Sequence, residues 1–217
     1  MIDRRLDTVA ATQKGRRTAA AFLDAARQVF AEKGYFNAKI ADIAEVAGRS
    51  PGSFYNYYEN KEQILEALLE QFSAEVLEGS LQSKGSTPLE GIRSAVRAYW
   101  TTYRKYLPEM IGLFQMSMTD TEFALRWQEN RAAGIRAVLS GIKSAERSGH
   151  LIGLDHNTLA SALVSMLESF CWTWMAVGGD ADMDAPDDET AIETLSAMWY
   201  RTVFHPVPEC GCGCSKE

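Results

Sequence analysis

The side chains best suited to chemistry lie in one short stretch, between positions 50 and 61. They offer hydroxyl groups, a carboxamide and an ammonium group, all of which can bind phosphate oxygens or the edges of bases. The residues concerned are Ser50, Ser53, Tyr55, Asn56, Tyr57 and Lys61. Gly52 lies among them and, having no side chain, lets a helix backbone come close to a ligand. This combination favours contact with a nucleic acid.

Two short helices with a tight turn between them must position this stretch. Ile40 and Ile43 begin an apolar pattern at helical spacing. Gly48 falls where a helix ends, and Ser50 followed by Pro51 predicts the first turn of the next helix. A plain helical hairpin is the alternative interpretation, since such corners are common in all-α domains.

The aromatic run that follows favours the binding role. Phe54 and Tyr58 are four residues apart on a helix, so both can face the core. Tyr55, Asn56 and Tyr57 then turn outward, where their hydroxyls and amide are available for phosphates or bases.

These residues, with others around them, resemble the TetR family of bacterial transcriptional regulators. The matching positions are Ala25-Ala26, Phe30 to Tyr35, Ile43-Ala44, Ala47-Gly48, Ser50, Gly52, Tyr55 to Tyr58 and Lys61. They span roughly residues 18–69, and their combination is specific. The resemblance implies an all-α fold, in which an N-terminal three-helix bundle with a helix-turn-helix precedes a C-terminal helical domain for ligand binding and dimerisation.

The resemblance also implies a set of DNA contacts. Tyr55, Tyr57 and Lys61 are expected at phosphates, whereas Ser53 and Asn56 are better placed to reach bases. The whole set expected to line or flank the DNA is Arg17, Thr18, Lys39, Arg49, Ser50, Gly52, Ser53, Tyr55, Asn56, Tyr57 and Lys61.

Three positions depart from the family pattern. Lys39 stands where the family usually has a hydroxyl residue, and it offers a point charge to a phosphate instead. Arg49 adds another charge close to the DNA, and Pro51 removes a backbone donor. The operator sequence is therefore not predicted, but two heads on a two-fold axis imply a near-palindrome of double-stranded DNA.

The distribution of charge agrees with one DNA-binding end. The 217-residue chain has a formal charge of −7, which alone argues against a nucleic-acid partner. Residues 1–61, however, carry ten Lys or Arg against seven Asp or Glu, so the excess of acidic residues lies in the remainder. A basic head on an acidic body suits a protein that touches DNA with one end only.

Helical periodicity accounts for almost the whole chain, without a convincing strand or repeat. The first helix is expected to begin near Thr18, a long helix from Asn60 to Leu81 to join head and body, and residues 119–122 to form a capping box. The predicted segments are a basic flexible arm at 1–17, the helix-turn-helix DNA-binding domain at 18–61, a helical ligand-binding and dimerisation domain at 62–205, and a Cys-rich tail at 206–217.

Bulky side chains in the body are candidates for an effector pocket. Their number, and a Met-rich run after Pro108, favour a cavity for an apolar or aromatic ligand. Glu168 and Arg104 are the candidate anchors for a polar end of that ligand. Aromatic residues at helical spacing also form ordinary core, and this alternative stays open. The candidates are Trp100, Tyr103, Met116, Trp127, Phe170 and Trp174.

The last two helices, predicted at 156–177 and 186–204, have wide apolar faces suited to a four-helix homodimer interface. Glu168 lies at the centre of the first and is costly in lipid, so we expect a soluble helix and no membrane partner. The charged N-terminus does not resemble a signal peptide, and we expect a cytoplasmic protein. The interface candidates are Leu159, Leu163, Met166, Ile192, Leu195 and Trp199.

The end of the chain has a second kind of chemistry. Cys210, Cys212 and Cys214 alternate with glycines and suit a soft metal such as copper(I) or zinc, with His205 as the nearest fourth ligand. An unstructured end is the alternative. A DNA-binding regulator switched by a metal or by thiol chemistry at these cysteines is thus the second candidate function.

Catalysis has little support. The sequence has no Gly-rich phosphate loop, nucleophile elbow or His-x-x-x-His pattern. We therefore expect no enzymatic activity and no cofactor. The first candidate function is a ligand-responsive, sequence-specific DNA-binding regulator. We expect a repressor, released from its operator by an apolar or aromatic small molecule, with activation left open.

Overall fold

The computed structural model describes residues 12–81 and 87–204. Within these ranges the chain is all-helical and has no strand, which confirms the expected all-α class. The helices are α1 (Gln13–Lys33), α2 (Ile40–Val46), α3 (Pro51–Phe54), α4 (Lys61–Leu81), α5 (Pro88–Lys105), α6 (Leu107–Thr119), α7 (Thr121–Arg147), α8 (His156–Cys171) with a π-helical continuation (Trp172–Val177), and α9 (Asp188–Phe204).

The helices pack into two compact units. The first unit contains the described residues up to Glu78 together with Thr101–Asn130. The second contains the described residues from Gly79 to Trp100 and from Arg131 onward. Helices α1, α2, α3 and α6 thus belong to the first unit and α8 and α9 to the second, whereas α4, α5 and α7 contribute residues to both. The domain boundary predicted after residue 61 stays a prediction.

An apolar stripe on α1 forms the centre of the first unit. Phe22, Ala26 and Phe30 follow one another at four-residue spacing, and each is at most 1% exposed. Gly34 then ends the helix with a φ of 73°, a conformation that residues with a side chain rarely adopt. Both features follow the sequence pattern.

The start of α1 differs from the prediction. The helix begins at Gln13 and not near Thr18, because the Thr12 hydroxyl accepts a hydrogen bond from the Gly15 N–H at 3.0 Å and caps the first turn. Gly15 is a poor helix former, and it hides this turn in the sequence. The basic residues of this turn, predicted as part of a flexible arm, are therefore helical, and Arg17 lies in the second turn of α1.

The start of α7 also corrects the sequence interpretation. Asp120 caps this helix by accepting a hydrogen bond from the Phe123 N–H at 2.9 Å. Thr119, the predicted cap, is still the last residue of α6, and its hydroxyl donates to the Gln115 carbonyl at 3.1 Å. Asn60 and Thr87 cap α4 and α5, because their side-chain oxygens accept hydrogen bonds from the N–H groups of Gln63 and Glu90.

The stretch His156–Val177 is one continuous helix, long and apolar enough to cross a membrane by length and composition alone. The Glu168 carboxylate lies within it and pairs with Arg131, with 2.8 Å between Oε2 and Nε. Burial raises the pKa of Glu168, although the guanidinium opposes this. An ion pair in the middle of a helix of this length would lie deep in the lipid if the helix crossed a membrane, and this would be costly. The pair therefore favours our interpretation of a soluble helix.

Candidate nucleic-acid interface

The turn between α2 and α3 forms as the sequence predicts. Gly48 has a φ of 63°, in the left-handed region that closes the end of α2. The Ser50 hydroxyl accepts a hydrogen bond from the Ser53 N–H at 3.2 Å, and Pro51 occupies the first helical position. The turn and the first residues of α3 are thereby fixed by local interactions.

Helix α3 has only four residues and is held by aromatic packing. Phe54 is completely buried, with its ring 5.5 Å from that of Phe22 on α1 and 5.6 Å from that of Tyr58. The Tyr58 hydroxyl donates to the Ala19 carbonyl at 3.3 Å. Burial raises the pKa of Tyr58 to about 12, so the hydroxyl remains a donor at neutral pH. These contacts hold residues 54–58 against α1.

The side chains between Phe54 and Tyr58 face outward to different degrees. Tyr55 is 55% exposed and Asn56 is also exposed. Tyr57 is half-buried, because its ring lies 5.8 Å from that of Phe22. On the turn side, Ser50, Pro51 and Gly52 are exposed and Ser53 is half-buried. The small and polar residues expected at DNA are therefore accessible together with Tyr55 and Asn56, and this stretch, residues 50–56 without the buried Phe54, is called the edge around α3.

The residues expected to flank the DNA differ in their exposure. The side chains of Arg17, Lys39 and Arg49 are exposed, as a phosphate contact requires. Thr18, by contrast, is 7% exposed, and its hydroxyl donates to the Lys14 carbonyl within α1 at 3.1 Å. This hydroxyl is already used inside the helix, so any DNA contact by Thr18 stays a prediction.

Lys61 has partners within the protein. Its ammonium donates to the backbone carbonyls of Tyr35 at 2.7 Å, Ala38 at 3.2 Å and Phe36 at 3.3 Å. A lysine has three N–H donors, so each has an acceptor in the connection between α1 and α2. Burial lowers the pKa of this amine. The geometry makes Lys61 a clamp on this connection, and its expected phosphate contact stays a prediction.

Tyr35 is the residue of this region that the sequence reasoning missed. It is 2% exposed, the Lys61 ammonium lies 4.4 Å from its ring centre, and its hydroxyl donates to Glu62 at 3.3 Å. Helix α6 approaches closely at Gly112, where an added Cβ atom would lie 2.9 Å from the Tyr35 Cβ. A glycine inside an apolar helix is the sequence signal for such close packing.

Asp42 fixes the beginning of α2. Its carboxylate forms an ion pair with Lys33 at 2.9 Å and accepts a hydrogen bond from the Lys39 N–H at 3.0 Å. These two interactions hold the pKa of Asp42 below its ordinary value. The backbone of Lys39 is thus tied to α1 and α2, while its side chain remains exposed.

The predicted effector residues fall into both units. Trp100, Phe170 and Trp174 belong to the second unit, where their rings are 5.8 and 6.2 Å apart in succession. Tyr103 and Met116 are buried in the first unit. Trp127, also in the first unit, lines a cavity of about 160 Å³ with the ion pair of Glu66 and Arg126 and other residues of α4 and α7.

Most of the predicted dimer residues are used inside the single chain. Leu159 and Leu163 are 6% and 5% exposed in the core of the second unit, with Met166 and Trp199 packed against that core. Ile192 and Leu195 are at most 1% exposed. These faces are thus largely buried within the single chain, and the assignment of the six residues to a dimer interface stays a prediction. The cysteines at 210, 212 and 214, and His205, lie outside the described residues.

Comparisons with known proteins point to one family. Residues 22–68 match the family model of the bacterial regulatory proteins of the tetR family. The HTH-type transcriptional repressor KstR2 of Rhodococcus jostii is 30% identical over 140 residues, covering 57% of this chain and 67% of that protein. The HTH-type transcriptional regulator EthR of Mycolicibacterium smegmatis is 24% identical over 212 residues, covering 91% of this chain and 94% of that protein.

Solved structures of TetR-family regulators have the same fold as this chain. A TetR-family transcriptional regulator from Rhodococcus sp. superposes with a TM-score of 0.72 at 18% identity, over 87% of this chain and 99% of that one. At this identity the likeness speaks for the fold alone. The KstR2 match adds sequence similarity over two thirds of a regulator's length, and the family model covers the head described above. The chain therefore belongs to the TetR family and is a DNA-binding transcriptional regulator, not an enzyme.

Proposed function

We propose that the protein is a homodimeric repressor that reads a near-palindromic operator with α3 and the residues after it. The observation that carries the proposal is the exposed edge formed by Ser50, Gly52, Tyr55 and Asn56 around the buried Phe54. No bulky side chain precedes Phe54 in α3, so its backbone can come close to a DNA groove. The name of the relative KstR2 supports repression over activation.

Two kinds of contact are proposed on this edge. Tyr55, like the flanking Arg17, Lys39 and Arg49, contacts phosphates, which gives affinity without sequence preference. Asn56 reaches a base edge, where a carboxamide pairs well with adenine. Ser53 and Tyr57 are half-buried and adjoin these residues in sequence. We assign Ser53 to a second base contact and Tyr57 to a phosphate contact.

Substitutions at Tyr55 and Asn56 separate the two kinds of contact. Tyr55→Phe removes one hydroxyl and is expected to weaken binding to any duplex by a similar factor. Asn56→Ala is expected to cost about 1–3 kcal/mol of discrimination at one base pair. Competition binding with single-base operator variants measures both effects. Asn157→Ala, at an exposed position on α8, is the control; equal base preferences in the Asn56 variant and the control would contradict the base contact.

For the dimer, we propose the faces of α8 and α9 that the single chain leaves exposed. Ala162, Ser165 and Ser169 are exposed on α8, and Met198 on α9 is 50% exposed. Only 28% of the most apolar part of the helix His156–Val177 is buried within the chain, so much of this apolar helix is available to pack against a second copy. Small side chains let two such helices pack closely.

For the effector, we propose the aromatic cluster of Trp100, Phe170 and Trp174 in the second unit. Trp100 is fixed by a hydrogen bond from its Nε1 to Asp188 at 2.9 Å, whereas the other two rings are half-buried. Trp174 belongs to the π-helical turn, and π-helical turns occur often at functional sites. Flat aromatic walls of this kind favour an apolar or aromatic ligand.

Release from DNA then follows from a shift between two conformations. An effector that binds more tightly to the conformation with wrongly spaced heads lowers the DNA affinity by that difference in binding free energy. Helix α4 contains residues of both units and is the proposed connection between effector and head.

Selection of binding sites from a random DNA library tests the proposed function. We expect an enriched near-palindrome whose half-sites lie about one helical turn, ~34–36 Å, apart, or a multiple of this. In the same selection with the Asn56→Ala variant, we expect the enriched sequences to show no base preference at one position in each half-site. Enrichment of a single, non-repeated half-site, or of no sequence at all, would contradict a dimeric sequence-specific regulator.

A further inference from the structure

A cavity of about 360 Å³ lies between α1 and α6 in the first unit, apart from the aromatic cluster proposed for the effector. This volume is within the range of sites for small molecules. Five of the seven lining residues have polar side chains, and both signs of charge are present. The lining residues are Asp24, Arg27, Gln28, Ala31, Lys105, Pro108 and Glu109.

Glu109 is the unusual member of this lining. The residue is 1% exposed, yet its Oε2 atom has no hydrogen-bond partner within residues 12–81 and 87–204. The other oxygen, Oε1, lies 3.3 Å from Arg27 Nε. A buried carboxylate oxygen without a donor is costly, and burial raises the pKa of Glu109 despite the nearby guanidinium. The wall of the cavity therefore includes a buried carboxylate with one oxygen left without a donor.

Both cations of the cavity have further partners, which restrict their side chains. Arg27 donates from Nη2 to the Lys105 carbonyl at 3.1 Å and stacks 4.2 Å from the centre of the Tyr106 ring. The Lys105 ammonium pairs with Glu75 at 2.6 Å. These contacts hold both cations in place, so neither is positioned to satisfy Glu109 Oε2.

Asp24 is the second carboxylate of the lining. It is exposed and has no ion pair or hydrogen bond from its side chain to the part of the chain that the structure describes. The charge in the cavity without an ionic partner is therefore that of Asp24, and Glu109, paired with Arg27 through Oε1, adds one oxygen without a donor. Among the described residues no cluster of three or more metal-binding side chains exists, which favours an organic cation over a metal ion.

We propose that the α1–α6 cavity binds a small organic cation with a primary ammonium group, which donates to Glu109 Oε2 and lies close to Asp24. The ammonium supplies the donor that the buried carboxylate lacks, and its short alkyl chain packs on Ala31 and Pro108. This site is distinct from the effector site proposed above in both position and ligand chemistry. The site also includes residues of α1, the helix whose Phe22 packs against Phe54 of α3. A ligand bound there is therefore well placed to influence the DNA-binding head.

Isothermal titration of the full-length, DNA-free protein with n-butylammonium chloride tests the proposal, with n-butanol as the uncharged control. We expect one amine site per chain and no binding of the alcohol. Glu109→Gln preserves the side-chain shape, and we expect it to weaken amine binding about tenfold or more. Asp24→Asn, at an exposed position that cannot impair folding much, is expected to weaken it as well.

Asp184→Asn is the matched control, because it removes the same charge from an exposed position in the second unit. Amine binding that is unchanged in both the Glu109 and Asp24 variants would overturn the proposal, as would equal binding of n-butanol. An equal loss in the Asp184 variant would show general attraction to an acidic protein and would overturn it too. Because no DNA is present, failure here is distinguishable from failure of the proposed function.

Discussion

Phe54→Ala is expected to abolish DNA binding, although Phe54 is buried and cannot itself reach DNA. The side chain is 0% exposed and packs against the rings of Phe22 and Tyr58. Its removal leaves a cavity beneath a helix of only four residues, which has too few backbone hydrogen bonds to hold its position alone. We expect a loss of about 3–5 kcal/mol in the free energy of unfolding. Such a loss is a large fraction of the stability of a typical domain.

Urea denaturation and DNA titration of the same samples measure this prediction. Tyr55→Ala is the matched control, since it removes a similar ring from a position that is 55% exposed. The Tyr55 ring contacts the Phe54 ring at 5.7 Å, so we expect the control to lower the free energy of unfolding by about 1 kcal/mol, well below the loss for Phe54→Ala, and to weaken DNA binding through the lost contact. Equal stability of the two variants would show that α3 does not depend on the packing beneath it.

Lys61→Met is expected to destabilise the first unit by about 3 kcal/mol, since hydrogen bonds from charged donors are among the stronger ones. Methionine keeps the length of the aliphatic stem but leaves the carbonyls of Tyr35, Phe36 and Ala38 without their donor. These carbonyls belong to the connection that leads into α2. Differential scanning calorimetry of the variant measures the loss as a lower melting temperature.

Lys39→Met is the control for Lys61, because its ammonium is exposed and close in sequence to the same connection. This variant is expected to keep its melting temperature. It is also expected to reduce the slope of log affinity against log salt by about one, as for the loss of one phosphate contact. If Lys61→Met kept its melting temperature and instead reduced the salt slope by about one, Lys61 would be a phosphate contact and not a clamp.

Features fixed by neighbouring residues were predictable from the sequence. Gly48, Ser50 and Pro51 each favour one backbone conformation, so the turn between α2 and α3 follows from residue type alone. The four-residue spacing of Phe54 and Tyr58 likewise determines which side of this segment is buried. The start of α1 is not evident from the sequence, because the glycine at position 15 lowers the local helix propensity while a single hydroxyl cap restores the turn.

Features that depend on distant parts of the chain were not predictable. The acceptors of Lys61 are backbone carbonyls some 25 residues earlier, and no pattern of residue types records where that backbone passes. The apolar faces containing Leu159 and Ile192 predict burial, but periodicity does not tell whether the cover comes from the same chain or from a second copy. Glu109, next to Pro108, has the sequence pattern of an ordinary acidic first turn, and only the fold reveals its burial.

Sequence-specific DNA recognition is expected to depend on the edge around α3. Fluorescence anisotropy with a duplex taken from immediately upstream of the protein's own coding region, at two salt concentrations, tests this expectation. We expect tight binding of one dimer per site that survives an excess of unrelated duplex. Affinity that is equal for every duplex and abolished by modest salt would contradict it, because phosphate attraction alone behaves in that way.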